Sequence, residues 1–132
     1  MSVVFTEAKP AALVETHARK LAEEVGGAGE ATRSQMRRFY QEYLSLRQKI
    51  KSGGPNAYEE NEPAIKMLIA KAAYASGRQS VKVPKKFVEW LEKNIKAIKS
   101  AEDVETFGQY FEAFMGYFYA QTQGSRRRDE EE

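Results

Sequence analysis

Apolar residues recur along this chain at helical spacing, and strand-like alternation is nearly absent, so the sequence points to an all-α fold. In the segment from about Ala11 to Val25, Val14, Ala18, Leu21 and Val25 make one stripe, which stops at Gly26-Gly27. Thr32-Arg33-Ser34-Gln35 reads as a capping box opening a second helix to about Lys51, with Met36, Phe39, Tyr40, Tyr43 and Ile50 on one face. Gly53-Gly54-Pro55 should end it. Asn61-Glu62-Pro63 reads as the N-cap and first turn of a third helix, whose narrow stripe is Ile65, Leu68, Ile69, Ala72 and Ser76, with Gly77 as its stop. A fourth helix from about Pro84 should bury Phe87, Leu91, Ile95 and Ile98. Ser100-Ala101-Glu102-Asp103 caps a fifth, so rich in Phe107, Tyr110, Phe111, Phe114, Met115, Tyr117 and Phe118 that it should be central or shared with a partner.

Short connections between amphipathic helices predict a compact bundle of about five helices. Within its 132 residues the expected division is an N-terminal helix and flexible link (1–30), a helical-bundle core (31–122) and a disordered charged tail (123–132). There is no cysteine, which closes disulfide and thiolate-metal chemistry and suits a cytoplasmic location. The N-terminus lacks the long apolar run of a secretory signal, and no stretch reaches the ~20 apolar residues of a membrane span.

The net charge of +2 conceals a strong asymmetry. Residues 1–32 carry three basic and five acidic groups, residues 33–99 fifteen and six, and residues 100–132 three and eight, giving −2, +9 and −5. A folded middle at +9 attracts polyanions, of which nucleic acid is the commonest.

Catalytic apparatus is not visible. His17 is the sole histidine, which removes histidine pairs and zinc triads, and it reads as an ordinary residue at the edge of a packed face. Glu59, Glu60 and Glu62 lack calcium-loop spacing and read as solvated charge, while Gly53-Gly54 follows a helix, not the strand of a phosphate loop. No catalytic residue, metal or cofactor is expected.

The basic residues are more informative. On the second helix Arg38 and Lys49 point away from the apolar stripe, Arg33, Arg37 and Lys51 flank it, and Arg47 projects into it. Arg47 therefore has two readings, RNA contact or a structural pairing with a carboxylate. On the third helix Met67, Lys71, Tyr74 and Arg78 form a second stripe, either an RNA surface of phosphate-gripping cations and a stacking ring or a second packing face. Arg78, Lys82, Lys85 and Lys86 crowd the approach to the fourth helix, an anion-attracting position. Trp90 reads as a core-edge residue, with base stacking as its alternative.

Three segments together resemble a known family. They are Ser34 to Tyr43 (SQMRRFYQEY) with Leu46-Arg47, Ala72 to Arg78 (AAYASGR), and Phe107 to Tyr117 (FGQYFEAFMGY), in order and spacing similar to the small subunit of the type III-A CRISPR-Cas effector (Csm) complex. The resemblance covers about Thr32 to Ala120. It implies a helical-bundle subunit of an antiviral defence complex, present in tandem copies along a filament of backbone subunits and associated with the large subunit. It further implies a non-catalytic role lining the channel that holds crRNA and target RNA, touching the backbone and not the bases. The implied RNA contacts are Arg37, Arg38, Arg47 and Arg78, while Lys71, Lys82, Lys85 and Lys86 are added from charge placement. The alternative is a helical protein-protein adaptor without direct RNA contact, whose aromatic fifth helix docks a partner.

Overall fold

Gly26, at φ 74°, ends the first helix where the periodicity predicts a stop, its amide donating to the Ala22 carbonyl at 3.1 Å. The computed structural model describes residues 2–27, 29–77 and 83–131, with side chains described as far as Gln121. Among the described residues there are five helices and no strand. They are α1 (residues 10–25), α2 (Glu30–Ser52), α3 (Ala57–Gly77), α4 (Lys85–Ala97) and α5 (Ala101–Glu131), preceded by a short 3-10 turn, Phe5–Glu7. The all-α bundle expected from periodicity is thus the fold.

Helix α1 presents a different inner face from the one the simple period predicts. Leu13, Ala18, Leu21 and Ala22 are buried, while Val14 and Val25 are half-buried. The cause is a π-turn at Leu13–His17, between the α-helical pieces Pro10–Ala12 and Ala18–Val25. Its i→i+5 bonding widens the turn and brings Leu13 into line with Ala18.

Two helix starts also differ from expectation. Helix α2 begins at Glu30, with Gly29 as N-cap and no side-chain cap, so Thr32 lies inside the first turn and not at the N-cap. Glu30 and Ala31 are good helix formers, and an acidic residue in the first turn suits the helix dipole, so the helix extends back to the glycine. Helix α3 begins at Ala57, which puts Pro63 inside the helix and Asn61 in its second turn, where Asn61 Nδ2 donates to the Ala57 carbonyl at 2.7 Å. The extra turn buries Tyr58, whose hydroxyl donates to the Ile98 carbonyl at 3.2 Å. That burial is a long-range gain invisible to local capping rules. Gly53 permits the tight α2–α3 connection, since a Cβ there would lie 2.6 Å from Ala57 Cβ and 2.8 Å from the Lys49 carbonyl oxygen.

The α5 cap is as expected: Ser100 Oγ accepts from the Asp103 amide at 3.2 Å, and Asp103 Oδ2 accepts from the Lys99 amide at 2.9 Å. Helix α5 is central. Its Phe107, Tyr110, Phe111 and Phe114 surround Trp90 of α4, with ring centroids 5.1 to 5.4 Å from the indole. Trp90 is 1% exposed, a core residue with no face for a base. Each such ring contributes about 1.5–3 kcal/mol by burial, with edge and offset contacts adding to it.

Polar contacts to α4 tie the N-terminal segment and α3 to this core. Asn94, fully buried, accepts from the Phe5 amide at 2.8 Å and donates to the Trp90 carbonyl at 2.9 Å. Lys66 Nζ donates to the Ile95 and Ile98 carbonyls at 2.8 and 3.3 Å, a cation capping the C-terminal end of α4.

Candidate nucleic-acid interface

Helices α2 and α3 pack side by side, and their outer edges enclose an open groove of about 380 Å³. Gln35, Arg38, Phe39 and Glu42 line it from α2, at the spacing of one helical face; Ala70, Lys71, Tyr74 and Ala75 line it from α3. The floor is apolar, with Phe39 and Ala75 buried beneath it. Arg38 and Lys71, 33 positions apart in sequence, stand on opposite walls, and Lys71 forms an ion pair across the groove with Glu42. Both partners are substantially exposed, so the pair is weak and readily exchanged.

Of the two readings of the α3 stripe, the second packing face does not hold within this chain. Met67 is 54% exposed and Tyr74 72%, while the residues that face α2 and α4 are Ile65, Leu68, Ala72 and Ala75. The small residues on that inner side let α3 approach closely, and the longer side chains are left outward.

Arg37 turns away from the groove. Its Nε donates to the Tyr119 hydroxyl at 2.9 Å, and its guanidinium lies 4.9 Å from the Tyr119 ring centroid. Arg33, 7% exposed, lies 5.9 Å from the same ring, and Arg19 of α1 lies 5.0 Å from the Tyr117 ring. These cation–π contacts clasp α1 and α2 to α5. Sequence reasoning missed them because no local pattern joins residues more than eighty positions apart.

Arg47 is braced on α5. Its Nε and Nη2 donate to the two carboxylate oxygens of Glu105 at 3.1 and 2.8 Å, and Nη1 is 4.0 Å from Glu112 Oε1. A Cβ at Gly108 would lie 3.1 Å from Arg47 Cδ and Nε, so the arginine stem lies across bare backbone. The hydrogen bonds from Arg47 hold the Glu105 carboxyl below its usual range, and the same bonds raise the guanidinium further. Among the open readings of Arg47, this geometry is the structural pairing with a carboxylate.

Lys85 and Lys86 are exposed in the first turn of α4. Lys86 lines a separate hollow of about 250 Å³ with Ser2, Leu21, Glu24, Glu89 and Lys93, between α1 and α4, and does not share the α2–α3 groove. Arg78 and Lys82 lie outside the described residues.

Among the described residues, no group of three or more histidine, cysteine, aspartate or glutamate side chains is placed to hold a metal ion. Nor is any described helix long and apolar enough to cross a membrane. His17 sits half-buried on α1.

An aromatic-cored helical bundle that brings Arg38 and Lys71 to one open groove defines a small all-helical protein with a candidate surface interface. Residues 8–123 match the family described as Csm2 Type III-A, and the chain belongs to that family, the small subunit of the type III-A CRISPR Csm complex. The match reaches back beyond Thr32 to include α1, a segment the motif resemblance leaves out. No curated protein and no solved structure matches the chain. Membership makes it a structural subunit of the effector complex, with the other Csm subunits as its partners.

Proposed function

We propose that this subunit is a non-catalytic RNA-binding element that holds the backbone of the crRNA–target RNA duplex without reading its sequence, in tandem copies beside the backbone and large subunits. The observation that carries this reading is the convergence of Arg38 and Lys71 on one open groove, with Tyr74 at its rim. Cations of this kind neutralise phosphates irrespective of sequence, and an exposed tyrosine stacks on any base or sugar. Arg78, Lys82, Lys85 and Lys86 extend the cationic surface in this reading, Arg37 lies at its edge, and Arg47 serves as a brace between α2 and α5.

The test uses the assembled complex with a target RNA across a salt series. Arg38→Glu with Lys71→Glu is expected to weaken binding and to flatten the dependence of log K on log salt by about two units per engaged subunit. Unchanged affinity and slope, or binding that discriminates base sequence at this subunit, overturns the reading.

A protein-only adaptor is the second reading; with Phe107, Tyr110, Phe111, Phe114 and Phe118 of α5 buried in the bundle, its docking face is not that aromatic helix but Met67 and Tyr74, exposed on α3. It expects Met67→Glu to block incorporation into the complex while the charge reversals leave RNA binding intact.

A further inference from the structure

We infer that the α2–α3 groove receives an unpaired RNA base, with the neighbouring phosphates held by Arg38 and Lys71. The inference rests on the RNA-binding reading above and adds a base-sized subsite to it. A sugar–phosphate chain alone is a poor fit to the floor of this groove, because Phe39, Ala70 and Ala75 line it with apolar groups. Seating a phosphate on such a floor removes its hydration without replacement. A nucleobase suits it: the ring faces are apolar and polar groups are confined to the edge.

Size and chemistry agree. The groove, at about 380 Å³, lies in the range of small-ligand clefts, roughly 300–1,000 Å³. Its polar lining supplies Gln35, which both donates and accepts, and Glu42, which accepts when ionised. An amide free to present either end satisfies the edge of any base, so the subsite tolerates sequence. Lys71, now bridged to Glu42, exchanges that carboxylate for a phosphate and leaves Glu42 to accept an N–H from the base. A paired base, with its edge occupied and its faces stacked, cannot enter; the occupant is a base displaced from the duplex or beyond its end.

The experiment uses the assembled complex with target RNAs carrying 4-thiouridine at successive single positions, irradiated and mapped to peptides. Expected are base crosslinks within residues 35–42 or 70–75 at unpaired positions, reduced about tenfold by Ala70→Trp, which fills the groove while keeping Arg38 and Lys71. Ala70 is exposed, and Ala70→Met gives a milder filling if the larger ring disturbs the fold. Crosslinks unaffected by both variants, or confined to other residues, overturn the subsite. If RNA affinity and its salt dependence still respond to the Arg38 and Lys71 reversals, backbone holding survives without the base. Loss of that response removes both readings. A protein segment of a neighbouring subunit crosslinked into the groove also overturns the subsite.

Discussion

Arg47 of α2 grips Glu105 of α5 with two parallel hydrogen bonds, Nε to Oε1 at 3.1 Å and Nη2 to Oε2 at 2.8 Å. The contact joins two of the segments that carry the family resemblance, the Leu46-Arg47 step and the helix bearing FGQYFEAFMGY. A fork of this kind fixes the rotation of α2 against α5, and with it the direction in which Arg38 projects.

Removing the fork lowers stability. Arg47→Ala is expected to cost about 1–2 kcal/mol, above an ordinary exposed pair because of the fork, below a buried one because Glu105 is 37% exposed. The effect is pH-dependent with a definite sign. The folded carboxyl lies below its ordinary value of 4.5, so its stabilisation is full above that value and is lost as pH falls through the lower folded one. Chemical denaturation should therefore separate wild type from Glu105→Gln by more at pH 7 than in acid below pH 4.5, the gap narrowing as pH falls. An equal gap at both pH values refutes the assignment.

Tyr43 provides the alkaline counterpart. Its hydroxyl is buried and donates to the Val104 carbonyl at 2.6 Å, and burial pushes its ionisation far above the usual value of 10.0. The stabilisation tied to this proton is complete below pH 10 and declines as pH rises beyond it. Tyr43→Phe preserves the ring contacts with Phe107 and Phe111 but loses the hydrogen bond, so about 1 kcal/mol is expected to go at pH 7. The difference should shrink toward pH 11 in denaturant titrations. A widening difference contradicts this account.

Pro63 stands inside α3 without a backbone N–H, leaving the Glu59 carbonyl without its helical donor. The side chain is exposed, so little packing is lost on replacement. Pro63→Ala is expected to stabilise the chain by about 1–3 kcal/mol, read as a raised urea midpoint at constant slope. Destabilisation would mean that the proline ring holds the start of α3 in place.

Helices α2 and α5 were legible because their inward residues keep one period over many turns. Where the period changes, a simple helical wheel misplaces the inner face: the π-turn rotates Leu13 inward in place of Val14. At α3 a local signal, Asn61-Glu62-Pro63, competed with burial of Tyr58 against residues forty positions away, and burial prevailed. The site follows the same rule. Arg38 and Lys71 could each be placed on an outer helix face from sequence, but their meeting across a groove depends on how α2 packs on α3. Arg47 stands out in the sequence as a charge on an apolar stripe, whereas its partner Glu105, 58 positions away, emerges only in the assembled fold.

Gly108 puts the brace to its sharpest test, because two effects of similar size oppose each other there. A glycine within a helix is less favourable than alanine by about 0.5–1 kcal/mol, so Gly108→Ala should stabilise α5 in isolation. Against this, the new methyl would stand 3.1 Å from Arg47 Cδ and Nε and must push the guanidinium off Glu105 by a few tenths of an ångström. Gly108→Ala alone is therefore expected to lie within about 1 kcal/mol of wild type. In an Arg47→Ala background the obstacle is gone, and the same substitution should stabilise by roughly 0.5–1 kcal/mol. Thermal melts of the four proteins complete the cycle. A coupling energy near zero would show that the Arg47 stem does not rest on Gly108, and the close passage of α2 over α5 would need another cause.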